Sequence, residues 1–117
     1  QMTEDRTGGV LTLRPQGKRL DASVAPGFKE RVGALIEAGD RKVVIDMRGI
    51  DYVDSSGLGA LVALLKRLGS DGRLVLAGLQ PPVTRLLAMT RLDRVFLIHD
   101  AIEAAVRAAG GQDAGGV

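Results

Sequence analysis

The stretch Asp46-Met47-Arg48-Gly49-Ile50-Asp51-Tyr52-Val53-Asp54-Ser55-Ser56-Gly57-Leu58-Gly59 joins two unlike segments. Before it, Val43-Val44-Ile45 is a β-branched run of the kind that fills a strand buried on both faces. After it, Leu58, Leu61, Val62, Leu65 and Leu68 form an apolar stripe at helical spacing, closed by Lys66, Arg67 and Gly69. A buried strand that feeds through a loop into an apolar helix is the building unit of a parallel α/β sheet.

The pattern extends outward in both directions. Leu74-Val75-Leu76 reads as a further strand, and Val83, Leu86, Leu87 and Thr90 mark a short helix opened by Pro81-Pro82. Val95-Phe96-Leu97-Ile98 reads as the last strand. Asp100 and Glu103 then form an Asp-x-x-Glu capping box ahead of an Ala-rich helix. Upstream, Val24, Phe28, Val32, Leu35 and Ile36 recur at helical spacing between Ser23 and Ala38, with Gly39 at the C-terminal cap. Val10-Leu11-Thr12-Leu13 is an opening strand, Arg14 to Gly17 a turn, and Lys18 to Leu20 a second extended stretch. These opening strands have no helix between them and are free to pair antiparallel. The expected fold is α/β: a small mixed β-sheet with about four packed helices. Residues 10–109 form its one domain, between a polar, flexible segment 1–9 and a Gly-rich, flexible tail 110–117.

Composition restricts the chemistry. The 117 residues include no Cys, which excludes disulfides, thiolate metal sites and a Cys nucleophile. Lys and Arg number 16 against 14 Asp and Glu, interleaved along the chain, and aromatic residues are 3% with no Trp. Base-stacking platforms are therefore hardly possible, and nucleic-acid binding is not expected. Apolar runs fall far short of the roughly 20 residues of a membrane span, and residues 1–9 have no apolar signal core. The reading is a cytosolic, unanchored domain. Met47 and Met89 are taken as core or groove fillers.

Within the connecting loop, Asp54, Ser55 and Ser56 are all good N-caps, and a cap alone would account for any one of them. Gly57 and Gly59 need more. Each costs up to about 1 kcal/mol against Ala in a helix, so their absent side chains are read as leaving the serines open to a close-approaching partner. A helix N-terminus also tolerates phosphate, because its unbonded N–H groups and the positive dipole end point at it. Asp51 and Asp54 would make the surface around such a phosphate acidic.

The run Val43-Val44-Ile45-Asp46, followed by Val53-Asp54-Ser55-Ser56-Gly57-Leu58-Gly59-Ala60-Leu61, resembles the signature of anti-sigma factor antagonists, single-domain members of the STAS family. The resemblance runs from about Val10 to Ala108. It implies a phosphorylation switch without a cofactor. Ser55 would be phosphorylated by a partner that is both an anti-sigma factor and an ATP-dependent serine kinase. The unmodified protein would bind that partner and release the sigma factor, and a metal-dependent serine phosphatase would reset the cycle. Asp54, Ser56 and Gly57 would form the contact loop, with Asp21 on the same partner-facing end. Gly17-Lys18-Arg19-Leu20-Asp21 is one residue longer than the family's usual Gly-x-Leu-Asp, so Asp21 is equally read as a cap for the first helix.

An enzyme is not expected. The one His, His99, lies beyond the last strand, where it reads as a solvated residue before a helix. Ser55 and Ser56 lack the Gly-x-Ser-x-Gly elbow, and no Lys stands where a P-loop needs one. The competing role for the same fold is a structural subunit of a signalling assembly or a lipid-transport system.

Overall fold

Val43, Val44 and Ile45 are fully buried because β4 (Lys42–Asp46) runs through the middle of a five-stranded sheet. The computed structural model describes residues 2–111. The sheet order is β1-β2-β4-β6-β7, formed by β1 (Met2–Thr7), β2 (Val10–Pro15), β4, β6 (Arg73–Ala77) and β7 (Leu97–His99). β2, β4, β6 and β7 are parallel, with Leu11 opposite Val43 and Ile45 opposite Leu76. Only β1 is antiparallel, joined to β2 through Gly8 and Gly9, whose φ angles of 58° and 81° suit a two-residue hairpin turn.

Alternate residues of these strands fill two cores. Leu11, Leu13, Val43, Ile45, Leu74 and Leu76 face α1 (Ala25–Glu37), α2 (Ser55–Leu68) and α3 (Pro81–Met89). Val10, Val44, Val75 and Ala77 face α4 (Ile102–Ala109), whose Ala105, Ala108 and Ala109 allow a close approach. The expected mixed sheet with four helices is what the chain forms.

Several boundaries differ. Of the segment 1–9, the described residues are not outside the domain: residues 2–7 are β1, an edge strand tied to α1 by Arg31–Glu4 at 2.6 Å and to the following turn by Arg6–Asp40 at 2.7 Å. Its sequence, MTEDRT, has no apolar alternation because an edge strand with solvated side chains needs none. Lys18–Leu20 does not pair with the opening strand. Arg19–Leu20 (β3) pairs in parallel with Tyr52–Val53 (β5) as a separate two-stranded ladder. The last strand begins at Leu97, since a 3₁₀ turn at Leu92–Arg94 carries the chain past Val95. The Asp100–Glu103 box does not form: Ala101 is the N-cap of α4 and no side chain bonds there. On α2 the stripe passes through Leu64, fully buried, while Leu65 is half-buried. Met47 is buried, but Met89 is 80% exposed, because α3 ends at that residue and packs through Val83 and Leu87 instead. Of the tail, residues 112–117 lie outside the described residues.

Candidate functional site

β4 delivers the chain to the carboxyl edge of the parallel strands, and the loop after it is fixed at three points. Met47 and Ile50 are buried, and the Ile50 N–H donates to the Met47 carbonyl at 3.0 Å. Asp46, only 4% exposed, accepts from Arg48 Nε, Arg48 Nη2 and the Arg48 backbone N–H. Burial pushes the Asp46 carboxyl up, but the Arg48 side-chain and backbone bonds outweigh it and hold the group below its ordinary value. Gln80 Nε2 then donates to the Arg48 carbonyl, tying the start of α3 to the same loop.

The chain passes through β5 into α2, and Asp54 is the N-cap. One carboxylate oxygen accepts from the Gly57 N–H at 3.0 Å, and the other from the Ala22 N–H at 3.1 Å. A single side chain thus closes the first turn of α2 and holds the loop between β3 and α1 against it. This bond brings the expected residues Asp21, Asp54, Ser55 and Ser56 to one end of the molecule. Asp54 is then less a loose acidic neighbour than a clamp.

Ser55 and Ser56 open the helix, both exposed, and neither hydroxyl bonds to another group among the described residues. With Asp54 as the cap, the serines are not needed for that task. Gly57 departs from the expectation that it meets a partner. It is buried, and a Cβ there would overlap the Leu20 carbonyl oxygen and sit 2.9 Å from Val53 Cγ1. Its missing side chain is an internal requirement, because β3 crosses directly over the first turn of α2. Gly59 fits the open reading: it is exposed, and no atom lies within 4 Å of where its Cβ would be.

Asp21 does not cap α1 with its side chain: Val24 is the N-cap and no side chain bonds there, and the Asp21 carboxylate instead closes the turn before the helix. Its carboxylate accepts from Arg19 Nε at 2.9 Å and from the Ser23 N–H and hydroxyl, and its carbonyl accepts from the Val24 and Ala25 N–H groups. The Arg19 bond, followed by the Ser23 hydroxyl, lowers the Asp21 carboxyl to about 2. Arg19 also lies 4.2 Å from the ring centroid of Tyr52, which is 43% exposed. Sequence reasoning missed this cation–π pair. The signal was the extra basic residue before Leu20 and an exposed aromatic in a chain with three.

Beside the serines, α1 and α2 leave a groove of about 420 Å³ lined by Ala25, Pro26, Lys29, Ser56, Gly59 and Ala60. The arrangement presents two unbonded hydroxyls, the N–H groups of a 14-residue helix and a shallow, small-residue groove. It can accept a phosphoryl group and dock a protein surface. A nucleophile needs a base beside it, and no contact brings His99 to Ser55: His99 ends β7 and its carbonyl accepts from the Gly78 N–H. Among the described residues no group of His, Asp and Glu is placed to hold a metal, and no helix is long and apolar enough to cross a membrane.

The family model for the STAS domain matches residues 1–105. An anti-sigma-B factor antagonist of Staphylococcus aureus is 28% identical over 88 residues, covering 74% of this chain and 82% of its own length. A crystal structure from Thermotoga maritima, 29% identical, superposes with a TM-score of 0.87 and covers 92% of this chain and 93% of that one. The Bacillus cell fate determinant SpoIIAA in its phosphorylated form shares the fold at 17% identity and a TM-score of 0.71, covering 92% and 98%. The anti-sigma factor antagonist SpoIIAA in its unphosphorylated form does so at 19% and 0.68, covering 88% and 91%.

Proposed function

The chain belongs to the STAS domain family, and we propose that it acts in the cytoplasm as an anti-sigma factor antagonist switched by phosphorylation at Ser55. Unmodified, it binds an anti-sigma factor that is also a serine kinase and so releases the sigma factor. Phosphorylated, it lets the partner go, and a serine phosphatase restores it. The observation that carries this reading is the pair of exposed, unbonded hydroxyls at the start of a helix whose cap, Asp54, is already in place. A serine there is available for chemistry without being needed for the fold. The S. aureus relative bears the name of such an antagonist, and SpoIIAA is known in both phosphorylation states.

The electrostatics suit a switch that acts on the partner. A phosphoserine adds a charge of about −1.5 to −2 at the positive end of α2. Asp54 opposes it, but the Asp54 charge is held between two N–H groups, so the domain itself changes stability by about 1 kcal/mol or less. A docked partner has to desolvate or repel the phosphate, and its affinity falls steeply. Asp21, Ser56 and Gly59 would line the contact; Gly57, being buried, would support it from below.

The test is to incubate the protein and its Ser55→Ala and Ser56→Ala variants with the candidate kinase and ATP, and to map phosphate by mass spectrometry. Phosphate should enter the wild type and Ser56→Ala but not Ser55→Ala. Stoichiometric phosphorylation of Ser55→Ala would end the assignment. Titration of the phosphorylated protein with the partner should show most of the affinity lost while the melting temperature shifts by no more than about 4 °C.

A further inference from the structure

A second cavity, of about 490 Å³, lies where the end of β2 meets the start of α1. Its size falls in the range of about 300–1,000 Å³ typical of small-molecule sites. Met2, Pro15, Val24 and Phe28 make its walls, drawn from β1, β2 and the start of α1. Pro15 and Phe28 are buried and Met2 and Val24 half-buried, so the apolar walls are held by the core, while Gln16, Gly17, Ser23 and Gly27 are exposed at the mouth.

Two exposed glycines, Gly17 and Gly27, also line the cavity. Gly17, at φ 82°, turns the chain out of β2. Gly27 has no such reason to be glycine. It is the third residue of α1, its φ is not positive, and no atom of the described residues lies within 4 Å of where a Cβ would stand. Glycine is a poor helix former, so packing alone does not explain it, whereas Gly57 is explained by the carbonyl above it. What Gly27 does is leave the cavity open.

The polarity of the lining restricts the occupant. Among the described residues no charged side chain lines the cavity. The two polar ones are Gln16 and Ser23, and the Ser23 hydroxyl already donates to Asp21 at 2.7 Å. An anion or a nucleotide would lose its hydration here with no cation to replace it. The groove beside Ser56, of similar volume, differs in having Lys29 in its wall. We propose that the cavity between the end of β2 and the start of α1 binds an uncharged, ring-sized apolar molecule carrying at most one hydrogen-bonding group, which would meet Gln16. The proposal is independent of the phosphorylation switch and does not fail with it.

The probe is N-phenyl-1-naphthylamine, uncharged and bearing one N–H, whose fluorescence rises and shifts to the blue in apolar surroundings. Titration into the wild-type protein should show saturable binding. Gly27→Leu, which fills the cavity from a helical position with open space around it, should weaken binding at least tenfold with an unchanged circular dichroism spectrum. Gly59→Leu, which fills the groove beside the serines, should leave binding within twofold. Nuclear Overhauser contacts in the wild type should run from the probe to the Phe28 ring, one of two Phe in the chain, and this reading needs no variant. Absent binding, equal binding by Gly27→Leu, loss of binding in Gly59→Leu, or contacts to Phe96 instead of Phe28 would each overturn the proposal.

Discussion

Replacing Gly57 by Ala should destabilise the domain, while the same change two residues on, at Gly59, should stabilise it. Both positions lie in the first turns of α2, so helix propensity favours Ala at each by up to about 1 kcal/mol. At Gly57 a new Cβ would overlap the Leu20 carbonyl oxygen and stand 2.9 Å from Val53 Cγ1 and 3.1 Å from the Leu20 carbonyl carbon. Leu20 and Val53 are register partners of the β3–β5 ladder, so neither can retreat without opening it. The Leu20 carbonyl also accepts the Asp54 N–H at 3.4 Å, a bond lost if the strand moves. Overpacking costs about 1–3 kcal/mol, and the rigid backbone puts this site at the upper end. Adding roughly 1 kcal/mol for the hydrogen bond and subtracting the propensity gain leaves a loss of about 2–3 kcal/mol. For a domain of this size that lowers the melting temperature by about 10 °C. Gly59→Ala meets nothing and should raise it by up to about 4 °C. Thermal and urea unfolding followed by far-ultraviolet circular dichroism would measure both. If Gly57→Ala melts with the wild type, or Gly59→Ala falls as far as Gly57→Ala, the account of the two glycines is wrong.

Three other outcomes are expected. Ser55→Ala should change stability by no more than about 0.5 kcal/mol, because the Ser55 hydroxyl makes no bond, whereas Asp54→Ala should cost about 1–2 kcal/mol as a lost cap; the reverse order in urea unfolding would contradict the capping assignment. Leu61→Ala and Leu64→Ala should each cost about 2–5 kcal/mol, half-buried Leu65→Ala clearly less, and Lys66→Ala almost nothing; equal losses at Leu64 and Lys66 would overturn the assignment of the faces of α2. Asp21, lowered from 3.8 to about 2 by Arg19 and Ser23, should keep its bonds above the ordinary carboxylate range and lose them as the pH falls from about 4 through about 2. The Ser23 amide resonance should report that titration, and Asp21→Asn should abolish it; a midpoint at the ordinary value would refute the Arg19 and Ser23 bonds.

Much of the fold was legible before any coordinates. β4, β6 and the apolar stripes of α1 and α2 carry strong periodicity because their burial is nearly complete, and burial is what writes a pattern into sequence. The same holds for the Asp54-Ser55-Ser56 start of α2, where caps and a following leucine stripe mark a helix end. What the chain alone left undecided lies where burial is slight or contacts are distant in sequence. β1 is solvated on its edge, so MTEDRT shows no alternation, and its place in the sheet follows from the Gly8-Gly9 hairpin and backbone pairing with β2, to which the ion pairs with Arg31 and Asp40 add. The roles of Asp54 and Gly57 depend on β3 and the loop after it crossing over α2, a meeting of residues more than 30 positions apart. Local sequence determines which residues can cap, turn or line a core; only the tertiary structure decides that Asp54 caps, that Gly57 is held inside, and that Ser55 and Ser56 are left outside, because that choice depends on which backbone groups arrive beside them.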